Sequence, residues 1–142
     1  MKNLTAIALF VAAGIATAGS AMAQDHKVTA SVPFNFTVNG RTLPAGNYTI
    51  GNDSNSPRML TIADRQKGVA LMAITVPDYS SSADNKLVFH HYGNQYFLSE
   101  IRTANGSMSC HLTTSKQEKR AKTQAQEEAS VRVNSDVLIA LK

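Results

Sequence analysis

Residues 28–39, VTASVPFNFTVN, alternate without a break. Val28, Ala30, Val32, Phe34, Phe36 and Val38 fall on one face, and Thr29, Ser31, Pro33, Asn35, Thr37 and Asn39 on the other. A period of two marks a strand with one face buried, because successive side chains of an extended chain point to opposite sides. Pro33 has no N–H to give to a ladder, so the strand belongs at a sheet edge or carries a bulge there. Asn39-Gly40 then supplies the positive-φ pair of a tight hairpin.

Further strand signals follow. Pro44 presets φ for a turn and Gly46 relieves its exit, leaving Leu43 and Tyr48 to face inward. Leu-Pro-x-Gly-x-Tyr resembles a tyrosine corner, in which a Tyr hydroxyl bonds to backbone a few residues upstream. Residues 51–57 and 78–85 read as polar loops. RMLTIAD and GVALMAITV form a hairpin around Arg65-Gln66-Lys67-Gly68, and the second run is apolar on both faces, as suits a central strand ended by Pro77. KLVFHHYGNQYFLSE predicts another hairpin, with Gly93-Asn94 as a two-residue turn. That register sets His91 against Tyr96, His90 against Phe97 and Phe89 against Leu98, and such aromatic pairs contribute roughly 0.2–1 kcal/mol each.

Residues 115–129 change character. Ser115 and Glu118 form an S-x-x-E capping box, strong helix formers follow, and Ala121, Ala125 and Ala129 make one thin apolar stripe. This predicts a lightly packed surface helix. Residues 130–142 return to alternation, with Val131, Val133, Val137, Ile139 and Leu141 on one face. Such a strand must pair with its own sheet, beside the first strand, or be donated to a neighbouring molecule. The fold class is therefore mainly β, an antiparallel sandwich or open barrel of about seven to nine strands, an ordinary size for such sheets. Its expected core is Phe34, Phe36, Val38, Leu43, Tyr48, Leu60, Ile62, Met72, Ile74, Phe89 and Leu98.

The first 23 residues carry a positive start at Lys2, an apolar run from Leu4 and a small-x-small site at Ala21-Met22-Ala23. This is the pattern of a cleaved export signal. It leaves residues 24–142 as a single domain, periplasmic or secreted, with no further apolar run of spanning length. One cysteine, Cys110, has no partner for an internal bridge, and burial is its expected state. The net charge of +4 is modest, and the basic SKQEKRAK stretch is broken by Glu118. A nucleic-acid surface would need a denser basic stripe with aromatic residues between, so no nucleic-acid partner is expected.

The candidate chemistry is thin. His90 and His91 are neighbours on a strand and leave opposite faces, as do Cys110 and His111. A metal site would need His90 or His91 together with His111 and a carboxylate such as Glu100, at spacings that match no metal motif. There is no G-x-S-x-G elbow, H-E-x-x-H pair or Gly-rich phosphate loop. Neither a catalytic activity nor a cofactor is expected.

VPFNFTVNGRTLPAGNYTI, LVFHHYGNQYFLS and the S-x-x-E stretch together resemble a family of small exported bacterial β-domain proteins with the pattern P-F-x-F-x-V…L-P-A-G-x-Y…L-V-F-H-x-Y-G-x-x-Y-F-L-S. The resemblance covers most of residues 24–142. It points to Pro44, Gly46, Tyr48, His90, Tyr92, Gly93 and Tyr96 as structural motif positions. It implies that His90 is the family histidine and His91 an exposed one, and it brings no catalytic residue to this chain. The expected role is a non-catalytic module that binds an unidentified protein or envelope component, with association at a β-edge as one route.

Overall fold

The structure is a computed structural model that describes residues 26–53, 55–128 and 136–142. The first 23 residues of the expected leader and most of the region just before the last strand, 129–135, lie outside the described residues.

Ten strands and one helix are described: β1 His26–Val32, β2 Phe36–Val38, β3 Arg41–Leu43, β4 Gly46–Asp53, β5 Ser56–Asp64, β6 Val69–Pro77, β7 Lys86–Tyr92, β8 Gln95–Arg102, β9 Cys110–Leu112, α1 Lys116–Glu128 and β10 Val137–Ala140. The fold is mainly β, as expected. The strands pair in the order β1-β4-β5-β6-β9-β8-β2-β3, and β7 joins β8 to β10. The sheet is open rather than a closed barrel. It is mixed, because β2 runs parallel to β8 at the Thr37–Phe97 contact while the other pairs are antiparallel.

The alternating run at 28–39 does not form one strand. It breaks at Pro33, and β1 lies at one end of the pairing path, where a missing N–H costs no ladder bond. Beyond the break, β2 is buried on both faces, with Thr37 as well as Phe36 and Val38 enclosed. Asn39 and Gly40 take φ of 48° and 83° and close the β2–β3 hairpin, as the sequence requires. The loop expected over residues 51–57 is shorter, since β4 runs to Asp53 and β5 starts at Ser56.

The core gathers Val32, Phe36, Val38, Leu43, Tyr48, Ile50, Leu60, Ile62, Leu71, Leu87, Phe89, Leu98 and Ile101. Phe34 is only half-buried but packs against it, edge-on to Phe89. Two expected core residues are outside it: Met72 is 60% exposed and Ile74 69%. The cause is register. Leu60 and Ile62 of β5 point inward, and their partners on β6 are Ala73 and Leu71. Directly opposed residues share a face, so the odd-numbered residues of β6 enter the core and the even-numbered ones leave it. The apolar composition of both faces hid this choice.

The last strand pairs within the chain. Val137–Ala140 lies along Lys86–Phe89 of β7, not along β1. Just past it, Lys142 and Thr29 exchange two backbone hydrogen bonds of 2.9 Å, which tie the chain end to the middle of β1. Val137 and Ile139 pack on the core and Leu141 is buried. No helix among the described residues is long and apolar enough to cross a membrane.

Candidate functional site

The β7–β8 hairpin closes on Gly93, whose φ of 58° suits the first central position of a two-residue turn. His91 pairs with Tyr96, His90 with Phe97 and Phe89 with Leu98. The register shifts between Val88 and Phe89, where β8 carries one extra residue, Ser99, so that Leu98 and Ile101 both reach the core. β7 keeps its alternation, so Leu87 and Phe89 enter the core while His90 and Tyr92 turn to the face that carries α1.

On the other side of the hairpin, Tyr96 stacks against both Phe34 (4.0 Å, 19°) and His91 (4.4 Å, 11°). His91 is consequently half-buried, not the exposed histidine that the family resemblance implies. Its ring serves as a packing surface.

His90 has a different environment. Its Nδ1 lies 2.8 Å from Oε1 of Glu118, a carboxylate that α1 buries against the sheet. Only half of the expected capping box forms. The Glu118 N–H donates to Ser115 Oγ at 3.1 Å, but the Glu118 carboxylate is spent on His90 instead of the Ser115 amide. Ala121 and Ala125 rest on Tyr92 and Phe97. Burial raises the Tyr92 phenol above its ordinary pKa, and the charges of Glu118 and Asp136 add to the shift.

The Pro44–Tyr48 corner is a second polar cluster. Tyr48 Oη donates to the Pro44 carbonyl at 2.5 Å, the bond that a tyrosine corner needs, and the ring meets Phe36 edge-on. Asp64, almost fully buried, accepts from the Gln66 and Lys67 amides at 2.9 and 3.1 Å and so fixes the β5–β6 turn. Lys67 Nζ donates to the Ala45 carbonyl. Gly46 has no room for a side chain, because a Cβ there would collide with Asp64 Oδ2. Burial, and then the Asp64 charge, raises the Tyr48 pKa.

Cys110 is buried, as expected, and its thiol is pushed up to about 11, chiefly by burial. It stays protonated at neutral pH, a poor nucleophile and a poor ligand. Next to it in sequence, His111 points outward. Its Nε2 lies 2.9 Å from Asp78 and its Nδ1 3.6 Å from Glu100, which also holds Arg102. Hydrogen bonds from Ser80 keep the Asp78 carboxyl below its usual range.

The structure thus separates the three histidines that a metal site would have to unite. His90 faces Glu118, His91 lies on Tyr96, and His111 sits between Asp78 and Glu100. No group of three or more His, Cys, Asp or Glu side chains among the described residues is arranged to hold a metal. Pro44, Gly46, Tyr48, His90, Tyr92, Gly93 and Tyr96 occupy two structural clusters rather than one cleft.

The feature that sequence reasoning missed is on β5 and β6. Met59, Met72, Ile74 and Val76 are all exposed, and Met59 stands opposite Ile74. Thr61, Ala63 and Ala70 complete an outward stripe with no charged side chain. The double apolar pattern of GVALMAITV was its only sequence signal. No protein-family model matches the sequence, and neither a curated protein nor a solved structure is significantly similar to it.

Proposed function

We propose that this chain is an exported, non-catalytic β-domain that acts as a binding or structural module of the cell envelope or its surroundings. Three things support this. The leader pattern of residues 1–23 suits export. The resemblance to small exported bacterial β-domains points the same way. The histidines and tyrosines of the hairpin and the corner are committed to packing and to contacts between elements. The observation that carries the proposal is the uncharged stripe of Met59, Met72, Ile74 and Val76, since contiguous exposed apolar surface on a small domain is a common mark of an interaction site. The metal-binding alternative through His90, His91 and His111 draws no support from their separate partners.

The test is crosslinking in the intact native cell. A photoreactive residue at Ile74 should yield specific protein adducts in the envelope or secreted fraction, while one at Ser31, on the polar outer face of β1, should not. A chain confined to the cytoplasm, or equal adducts at both positions, would overturn the proposal.

A further inference from the structure

The stripe has a second property that its exposure alone does not reveal. On one side β6 pairs with β5 along Val69–Ile74. On the other it pairs with β9 only from Thr75 to Pro77. Among the described residues, no strand pairs with that second edge from Val69 to Ile74, and none of its backbone bonds there go to a turn or loop. The segment is VALMAI: wholly apolar, β-branched at both ends, with no proline, glycine or charge. Sheets that keep such edges single normally guard them with lysine, proline or a bulge. This one has none of these devices.

We propose that this edge is a self-association site at which two copies of the chain pair β6 with β6 antiparallel about a two-fold axis. The proposal rests on the reading of the chain as an assembly module and names the partner. Two observations favour a second copy. First, the register is self-consistent. With Leu71 opposite Leu71 of the other copy, Ala70 meets Met72 and Val69 meets Ala73, all on the stretch of edge that β9 leaves open. Outward residues then face outward ones, inward residues face inward ones, and the two apolar stripes become one surface. Second, the ends carry complementary charge. β6 begins after the exposed Arg65 and Lys67 of the turn and ends beside Asp78. Antiparallel pairing brings the basic turn of each copy towards the Asp78, Glu100, His111 and Arg102 group of the other, in which the two carboxylates outnumber the one arginine. No like charges meet along the stripe itself, so the positive net charge of the chain does not oppose contact there. The pairing is short, so the dimer belongs with small, transient interfaces of under about 1,200 Å².

Sedimentation equilibrium of the purified protein, with hydrogen exchange at two concentrations, tests this. The expected result is a monomer–dimer equilibrium, with added amide protection at high concentration confined to residues 69–74. Ile74→Lys, at an exposed position that does not threaten the fold, should weaken the dimer by about tenfold or more, roughly 1.4 kcal/mol. Arg65→Glu and Asp78→Arg should each weaken it, and the two together should restore it. A chain that stays monomeric at about 1 mM, where even a complex worth roughly 4 kcal/mol forms, would sink the proposal. So would a dimer indifferent to Ile74→Lys, or a charge-swap pair that fails to rescue. A monomer that still gives foreign adducts at Ile74 in cells would defeat self-association alone. A monomer with no adducts would defeat the binding-module reading as well.

Discussion

Tyr48 shows what a single side chain contributes here. Its hydroxyl donates to the Pro44 carbonyl and its ring lies in the core beside Phe36. Tyr48→Phe keeps the ring and deletes only the bond, so the expected loss is about 1 kcal/mol, the usual net worth of one hydrogen bond. An unchanged urea midpoint would show the corner to be an ordinary loop. The same residue gives a pH prediction. The phenols of Tyr48 and Tyr92 are raised above 10.0 in the folded chain, so the folded state holds these protons more tightly than the unfolded one. Their contribution to stability is complete below the unfolded value and is lost as pH rises through the folded values. Stability should therefore fall above about pH 10, and Tyr48→Phe should flatten that fall, as melts from pH 8 to 11 would show. The corner was legible in the sequence because its parts lie within five residues. The partner of Glu118 was not, because His90 is 28 residues away and nothing local distinguishes a capping carboxylate from one spent on a sheet.

At the scale of elements, α1 is poorly suited to stand alone. Lys116, Lys119 and Arg120 crowd its first half, Glu127 and Glu128 sit in its last turn, and no basic residue is there to offset them. Glu118 in the first turn favours the helix dipole, but the acidic last turn opposes it with no cation to offset it. Thirteen residues are also short for a helix in water. Its hold on the sheet is two alanines and the Glu118–His90 contact. Glu118→Ala should consequently release the helix before the sheet. Far-ultraviolet dichroism should lose helical signal, and exchange protection over residues 116–128 should drop, while the β7–β8 amides stay protected. A simultaneous loss in both would mean that helix and hairpin unfold as one unit. The helix itself was legible from its formers and its cap. The strand faces were legible where one face was polar, as in β1, and not in β6, where only pairing with Leu60 and Ile62 decides which side enters the core.

For the whole molecule, the decisive contact is between distant parts of the chain. β10 lies along β7, and Lys142 exchanges backbone bonds with Thr29, 113 residues away. Alternation in the sequence shows that such a strand must pair, but every apolar edge offers a similar match, so the choice of β7 over β1 could not be read. The pairing covers Leu87 and Phe89, which lie in the core behind it. Removing residues 137–142 takes away one buried leucine and two partly buried β-branched residues. At about 1.5–3 kcal/mol for each fully buried side chain, with the two partly buried ones counted at half, the loss is roughly 3–6 kcal/mol before any ladder bond is counted. Typical domains have only about 5–15 kcal/mol to lose. The shortened chain should therefore unfold near room temperature or aggregate through the bared β7 edge. Adding a peptide of residues 136–142 in excess should recover part of the folded population, because the groove it fits is otherwise complete. If the shortened chain instead melts as the full one does and stays monomeric, β10 is an ornament of the sheet, and β7 must tolerate a free edge just as β6 does.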